Sequence, residues 1–451
     1  MDRIFGTDGV RGLANVAPMS PEVVMALGRA IVAILAPTAS GVKPALVVGR
    51  DTRLSSPMLE AALTAGICSA GADVLAVGVL PAPGVAYLIR HTGAVGGVMI
   101  SASHNPYMDN GIKVFGGTGA KLEDRLEEAI EARLGDVAAE EPLTGEAIGR
   151  PSLYEGGVQH YVDFLRKTFY YEIPVKLRIG LDCANGAASV AAPALFGQLG
   201  ATVRVWHAMP DGRNINKQCG AVYPEFLQQK VLEEKLDVGF AFDGDADRLI
   251  AIDHTGCILD GDYLLVVCAQ ALLEEMQPSQ RVVVSTVMAN LGLGQVLRQI
   301  GFELHRTPVG DKYVVEGMRQ TGARLGGEPS GHIVFLNHHT TGDGLLTAVQ
   351  LLNAIAARQL PLAALAQVLH KFPQIVLNVK IRERREPLGI PQVQQTIADA
   401  ERVLGNDGRV VVRLSGTESV ARVMLEGPEQ SLIESLAHRI GQAITSELGI
   451  P

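Results

Sequence analysis

Four stretches of this chain set reactive side chains directly after apolar, strand-like runs. In "DGDADR", Asp243, Asp245 and Asp247 occupy alternate positions following "VGFAF". Three carboxylates so close repel one another unless a cation neutralises them, although Asp-Gly is also a common turn signal. An EF-hand is excluded, because the loop's sixth and twelfth positions are Arg248 and His254 where Gly and Glu are required. Three monodentate oxygens from one short loop suit Mg²⁺, with room for a phosphate oxygen. In "SASHNP", Ser103 and His104 follow "GGVMI", and Pro106 forbids continuation of the strand. A Ser-His neighbour pair alone reads as a turn, since adjacent residues rarely form a nucleophile and its base. Lys113 downstream and the Asp cluster at an equivalent strand end favour Ser103 as nucleophile or phosphoryl carrier. Phosphorylated, it would bring about −2 of charge and acceptor oxygens for a metal.

The other two stretches are less specific. "RLSGTESVAR" combines Arg413, Ser415, Gly416, Thr417 and Arg422. Gly lets the backbone approach a ligand, hydroxyls and N–H groups donate, and guanidinium forks match phosphate. An ordinary turn between strands explains it equally well. "GGEPSGH" offers Glu328, Ser330 and His332, groups suited to sugar hydroxyls and proton transfer. Other patterns fail. No Gly-Lys-Ser/Thr is present, so there is no Walker A loop, and "GLGQVL" lacks the third glycine of a dinucleotide fingerprint. "HHTTGD", with His338, His339 and Asp343, reads as a turn with an Asp at a helix start in preference to a metal site.

These loops need elements to hold them. "PALVVGRDTR", "KLRIGLDCANG" and "RVVVSTVMANLG" each open the same sequence of events: buried strand, loop, amphipathic helix closed by Gly, second strand. Each then supplies a further apolar strand, ending in "SASHNP", "DGDADR" or "GEPSGH". The pattern predicts parallel pairing with right-handed crossovers, and ligands of such sheets gather at strand carboxyl ends. The tail alternates strands with two helices, as a small α+β domain would. The expected fold class is therefore α/β with four domains. Three share a βαβ, mixed-sheet topology (1–150, 151–255 and 256–370), and a C-terminal α+β domain (371–451) follows.

Composition sets the outer limits. The chain has 451 residues, 47% hydrophobic and 19% charged, so large cores are available and extensive disorder is not expected. A net charge of −9 argues against a general nucleic-acid surface and requires a local cationic cluster for any anionic ligand. Five cysteines without framework spacing point to reduced thiols and a cytoplasmic location. "MDRIFGTDGVRG" lacks the basic start and apolar run of a signal peptide. The apolar stretches are too short for a membrane span.

Over essentially its whole length, the sequence resembles the α-D-phosphohexomutase superfamily. The resemblance rests on "FGTDGVRG", "GRDTR", "SASHNPYMDNGIK", "DGDADR", "TVMANLG", "GEPSGH" and "SGTES", in family order. "DNGIK", "FGTDGVRG" and "TVMANLG" resemble the bacterial glucosamine branch more than the mannose/glucose branch. The resemblance implies interconversion of glucosamine 6-phosphate and glucosamine 1-phosphate through a phosphoserine and a 1,6-bisphosphate, for cell-wall amino-sugar supply. The alternative is phosphomannomutase or phosphoglucomutase chemistry. It implies phosphorylation of Ser103, and one Mg²⁺ held by Asp243, Asp245, Asp247 and the Ser103 phosphate. It implies sugar contacts from Glu328 and Ser330, and a phosphate clamp from Arg413, Ser415, Gly416, Thr417 and Arg422. Arg11, His104, Lys113, Arg248 and His332 match positions near the reacting centre, with Lys113 or His332 as general base. A sugar 1,6-bisphosphate is the expected activator and a sugar phosphate the expected partner. No nucleic acid or membrane is expected, and a homodimer is compatible. The sequence departs from the family at Ser419, where Pro is usual, and at Ala421, where a larger aliphatic is usual. Losing Pro relaxes the phosphate loop's backbone restriction. A sensor that kept the fold without catalysis would be expected to lose Ser103 or a metal-loop Asp, and all are present.

Overall fold

The structure is a computed structural model and describes residues 4–6, 8–36, 43–135, 141–172, 177–383, 385–414 and 419–449. The chain divides into two compact units, one of Met1–Thr286 with His305–Gln367 and one of Val287–Leu304 with Val368–Pro451.

Three sheets repeat one design. In the first, strands Ala45–Arg50, Asp73–Val79 and Gly96–Ile100 alternate with helices Ser56–Ser69 and Ala82–Thr92. The first strand pairs in parallel with both others, so the third strand lies on the far side from the second. An antiparallel strand, Asp109–Gly116, then pairs with the third. The second sheet uses Arg178–Asp182, Thr202–Trp206, Val238–Phe242 and Leu249–Asp253 in the same order and sense. The third repeats the order with Val282–Thr286, Glu303–Thr307, Leu325–Gly327 and Ile333–Phe335. The threefold pattern expected from the sequence is thus present strand for strand.

The third strand of each trio sits inside its sheet. Gly96–Ile100 and Val238–Phe242 are buried at every position. Helix-covered sheets hide both strand faces, which is why these runs are apolar without alternation. Where each third strand ends, the chain must reverse into its antiparallel neighbour. Those three reversals hold Ser103, the Asp cluster and the Glu328–His332 segment. The first sheet has further strands on both flanks. Phe5–Gly6 and Gly9–Leu13 extend it beyond Asp109–Gly116, with Val10 opposite Ile112 and Arg11 opposite Gly111. This register brings Asp8 and Arg11 to Lys113.

The second unit carries a three-stranded antiparallel sheet in the order Gln374–Lys380, Val420–Glu426, Arg409–Leu414. Helices Pro391–Leu404 and Gln430–Leu448 share its apolar core through Val393, Ile397, Ile433, Leu436, Ile440 and Ile444. Among the described residues no helix is long and apolar enough to cross a membrane. The five cysteines are free, and only Cys257 is exposed.

Candidate active site

Ser103 sits in the first reversal with a left-handed backbone, φ 51°, and its side chain is fully buried. A non-glycine residue in this region costs about 1–2 kcal/mol, so its surroundings must hold it there. The hold comes from the main chain. The Ser103 carbonyl accepts from Arg53 Nη2 at 2.9 Å and from Asn216 Nδ2 at 2.8 Å, and its N–H donates to Ser101 Oγ at 2.9 Å. A Cβ on Gly244 would stand 2.4 Å from the same carbonyl oxygen, so only glycine lets the Asp loop come this close. The result is a direct contact: Ser103 Oγ donates to Asp243 Oδ2 at 2.6 Å. His104 Nδ1 lies 3.3 Å from the same hydroxyl. Burial, then the nearby Arg248 and Arg11 charges, lowers the His104 pKa to about 4, so its imidazole is neutral at pH 7.

The three Asp side chains are buried, and their ligand oxygens lie within 4.8 Å of one another. Asp245 Oδ1 and Asp247 Oδ1 are buried and accept no hydrogen bond. An all-oxygen set with acceptor capacity to spare fits a hard divalent cation. Burial, then the charges of Asp247 and Asp245, pushes Asp243 up to about 7. Burial also raises Asp245, with Asp247 adding to it. Asp247 is buried too, yet Lys113, His332 and Arg248 overcome that cost and hold it well below the usual carboxylate range. Lys113 Nζ is 2.7 Å from Asp245, 3.0 Å from Asp247 and 3.1 Å from Asp8. Three carboxylates outweigh its burial and raise its proton affinity well above that of a free lysine. Lys113 is therefore a fixed cation here.

The third reversal closes on the second. The Leu249 N–H donates to the Gly331 carbonyl at 3.0 Å. His332 stands between Asp247 Oδ1, 3.6 Å from Nδ1, and Asp311 Oδ2, 3.5 Å from Nε2. The Gly342 N–H donates to Nε2, which leaves the imidazole proton on Nδ1, facing Asp247. The two carboxylates outweigh burial and raise the His332 pKa. Glu328 Oε1 accepts the Gly310 N–H at 3.3 Å, and Ser330 is exposed on the same turn. Arg248 donates its N–H to Asp243 Oδ1 at 3.3 Å, and Arg11 Nη1 donates to Asn105 Oδ1 at 3.4 Å.

In the second unit Arg413 faces Arg422 directly across the strand pair. Ser415, Gly416 and Thr417 lie outside the described residues. Ala421 is buried in its strand, and the Ser419 carbonyl accepts the Ile381 N–H at 3.0 Å. His339 and Asp343 are occupied structurally: His339 Nε2 meets the Pro83 carbonyl at 2.9 Å, and Asp343 caps the helix Gly344–Arg358 through the Leu346 N–H.

Several residues here escape the sequence reading. Arg53 bridges Asp51 and the 103–109 loop, donating to the carbonyls of Ser103, Asn105, Pro106 and Asp109. Asp51 also accepts from Ser56 Oγ and Ser101 Oγ. Asp8 joins Arg11, Lys113 and Lys121, and Lys121 reaches on to Asp311. The one available signal is the Asp-x-Arg pair closing the apolar run "ALVVG", a strand end beside that of Ser103.

Known proteins match this chain along nearly its whole length. Four phosphoglucomutase/phosphomannomutase domains match in order: α/β/α domain I at residues 2–141, domain II at 159–256, domain III at 260–372 and the C-terminal domain at 376–443. A phosphoglucosamine mutase of Desulforamulus reducens is 46% identical over 98% of this chain and 99% of its own length. One of Brevibacillus brevis is 47% identical over 99% of this chain and all (100%) of its own. A crystal structure of a phosphoglucomutase/phosphomannomutase family protein from Burkholderia thailandensis superposes with a TM-score of 0.82 at 26% identity, covering 99% of this chain and 98% of that one. The chain belongs to the phosphoglucomutase/phosphomannomutase family, in its phosphoglucosamine mutase branch.

Proposed function

We propose that this enzyme interconverts glucosamine 6-phosphate and glucosamine 1-phosphate by carrying a phosphoryl group on Ser103. The observation that carries the reading is the 2.6 Å contact between Ser103 Oγ and Asp243, at the meeting of two strand-end loops. In the first half-reaction the free hydroxyl of the sugar attacks phospho-Ser103. The bond from phosphorus to Ser103 Oγ breaks as the bond to the sugar oxygen forms, giving a 1,6-bisphosphate. That intermediate turns over within the site, and Ser103 takes the other phosphoryl group back.

The sugar hydroxyl must lose a proton in the first half and the other oxygen must regain one in the second. His332 suits this task better than Lys113, whose charge three carboxylates hold in place. Asp247 and Asp311 raise the proton affinity of His332 above that of a free imidazole, and an imidazole can take and return a proton where an ammonium fixed by three carboxylates cannot. Lys113, Arg248 and Arg11 offer fixed positive charge to phosphoryl oxygens, the main demand of this transfer. Asp243, Asp245 and Asp247 would hold Mg²⁺ with a Ser103 phosphate oxygen, and such an ion neutralises charge on the migrating group. Glu328 and Ser330 would orient sugar hydroxyls, and Arg413 and Arg422 a phosphate. A sugar 1,6-bisphosphate would prime unphosphorylated enzyme. The product would feed cytoplasmic amino-sugar precursors.

The test is turnover of glucosamine 6-phosphate, mannose 6-phosphate and glucose 1-phosphate, with Mg²⁺ and catalytic bisphosphate, on wild type and Ser103→Ala. Preference for the amino sugar and loss of turnover in the variant are expected. Preference for a neutral sugar refutes the substrate, and substantial activity in Ser103→Ala refutes the carrier.

A further inference from the structure

The second sheet carries another donor set, made of chemistry unlike the Asp loop. Asp182 ends the strand Arg178–Asp182, His207 follows the neighbouring strand Thr202–Trp206, and Cys219 lies in the connection that follows. A carboxylate oxygen of Asp182, a ring nitrogen of His207 and Cys219 Sγ lie within 4.8 Å of one another. Asp182 and Cys219 are fully buried, and the His207 side chain is 26% exposed. Asp182 Oδ1 accepts the Ala184 N–H at 3.0 Å. Its Oδ2 accepts no hydrogen bond and has His207 Nδ1, itself without one, as an ion-pair neighbour at 3.0 Å. A fully buried carboxylate oxygen and a ring nitrogen are thus left without a hydrogen bond beside a buried thiol.

The backbone around them is held in an uncommon shape. His207 itself is left-handed, as are Ala184, Asn185, Asn216 and Gln218. For His207, Ala184 and Gln218 this region is uncommon, and strain of this kind gathers at functional sites.

We propose that Asp182, His207 and Cys219 form a second cation site, selective for a borderline transition metal such as Zn²⁺. Thiolate and imidazole donors favour that class of ion, whereas Mg²⁺ prefers oxygen alone. Three protein ligands with a partly exposed histidine leave a fourth position for water. Binding must displace the thiol proton. The site also lies close in sequence to the Ser103 supports. Asn216, three residues before Cys219, donates to the Ser103 carbonyl, and the carbonyl of Asn185, three after Asp182, accepts the Thr52 hydroxyl at 2.6 Å. An ion here would tie together the segments that brace Ser103. The site stands whether or not the chain turns over glucosamine phosphates.

The experiment titrates reduced, full-length protein with Co²⁺ in excess Mg²⁺, reading absorbance. One equivalent should bind with a thiolate-to-cobalt charge-transfer band that Zn²⁺ removes and further Mg²⁺ does not. Cys219→Ser should abolish the band, and His207→Asn, which keeps a residue tolerant of the left-handed backbone, should weaken binding by about 100-fold or more. Asp245→Asn should leave the band intact. A missing band, or one that survives Cys219→Ser and disappears with Cys257→Ser, overturns the site. If Cys219→Ser melts abnormally, the more exposed His207 decides, and unchanged Co²⁺ affinity in His207→Asn overturns it as well.

Discussion

Replacing Arg53 with Lys tests whether main-chain support of Ser103 controls catalysis. Arg53 is 1% exposed and donates five hydrogen bonds, one to Asp51 Oδ2 and four to carbonyls of the 103–109 loop. A lysine ammonium has three donors, so at least two of these five charge-assisted hydrogen bonds are lost. Each costs about 1–3 kcal/mol, so the variant should be about 2–6 kcal/mol less stable. The charge beside Asp51 survives, so the fold should too. The loop, however, loses part of what keeps Ser103 left-handed. A displacement of about 1 Å at a reacting group costs on the order of 100-fold in rate. The assay is steady-state turnover of glucosamine 6-phosphate with Mg²⁺ and catalytic bisphosphate, paired with urea unfolding. We expect kcat to fall about 100-fold. KM should change little, because all five donors point into protein. If stability falls while kcat stays at the wild-type value, Arg53 supports the fold without positioning Ser103, and the reasoning fails.

Gly244→Ala should reduce turnover by about tenfold or more, since the new Cβ would lie 2.4 Å from the Ser103 carbonyl oxygen and must part the two loops; wild-type kinetics would contradict this. Dialysis against a chelator should abolish turnover and Mg²⁺ should restore it, with Asp245→Asn needing far more Mg²⁺; activity that persists without divalent ions would count against the metal site. His339 is buried with its Nδ1 already accepting the Thr340 N–H, and burial lowers its pKa to about 4 from 6.5. The unfolded chain binds that proton first, so stability falls as pH drops from about 6.5 towards 4, by up to about 3 kcal/mol. In His339→Gln this component disappears, so the variant's deficit in urea unfolding should shrink between pH 7.5 and 4.5; a deficit independent of pH would refute it.

The strand ends were legible because a strand covered on both faces reads as an unbroken apolar run, as in Val238–Phe242. A polar cluster at its end then marks itself. Ser103 and the three Asp residues emerged this way, and the repeat along the chain predicted that their loops are equivalent. Arg53 and Asn216 stayed hidden because they act on backbone carbonyls 50 and 113 residues away, and no local window reports such a partner. Asp8 is similar, for its partners come from the register of Gly9–Leu13 on Asp109–Gly116. Lys113 and His332 looked interchangeable as bases in the sequence. Their carboxylate neighbours, three around one and two around the other, are what separate them.

The Ser103 carbonyl oxygen behaves like a machinist's datum. Arg53 reaches it from its own sheet, while Asn216 and Gly244 meet it from the second, and two donors occupy both of its lone pairs. Dimensions in both sheets are therefore referred to one atom, with no stack of intervening tolerances. Were the second sheet displaced against the first, these shared contacts would tend to move the Ser103 loop and the Asp loop together and so hold the Ser103–Asp243 gap.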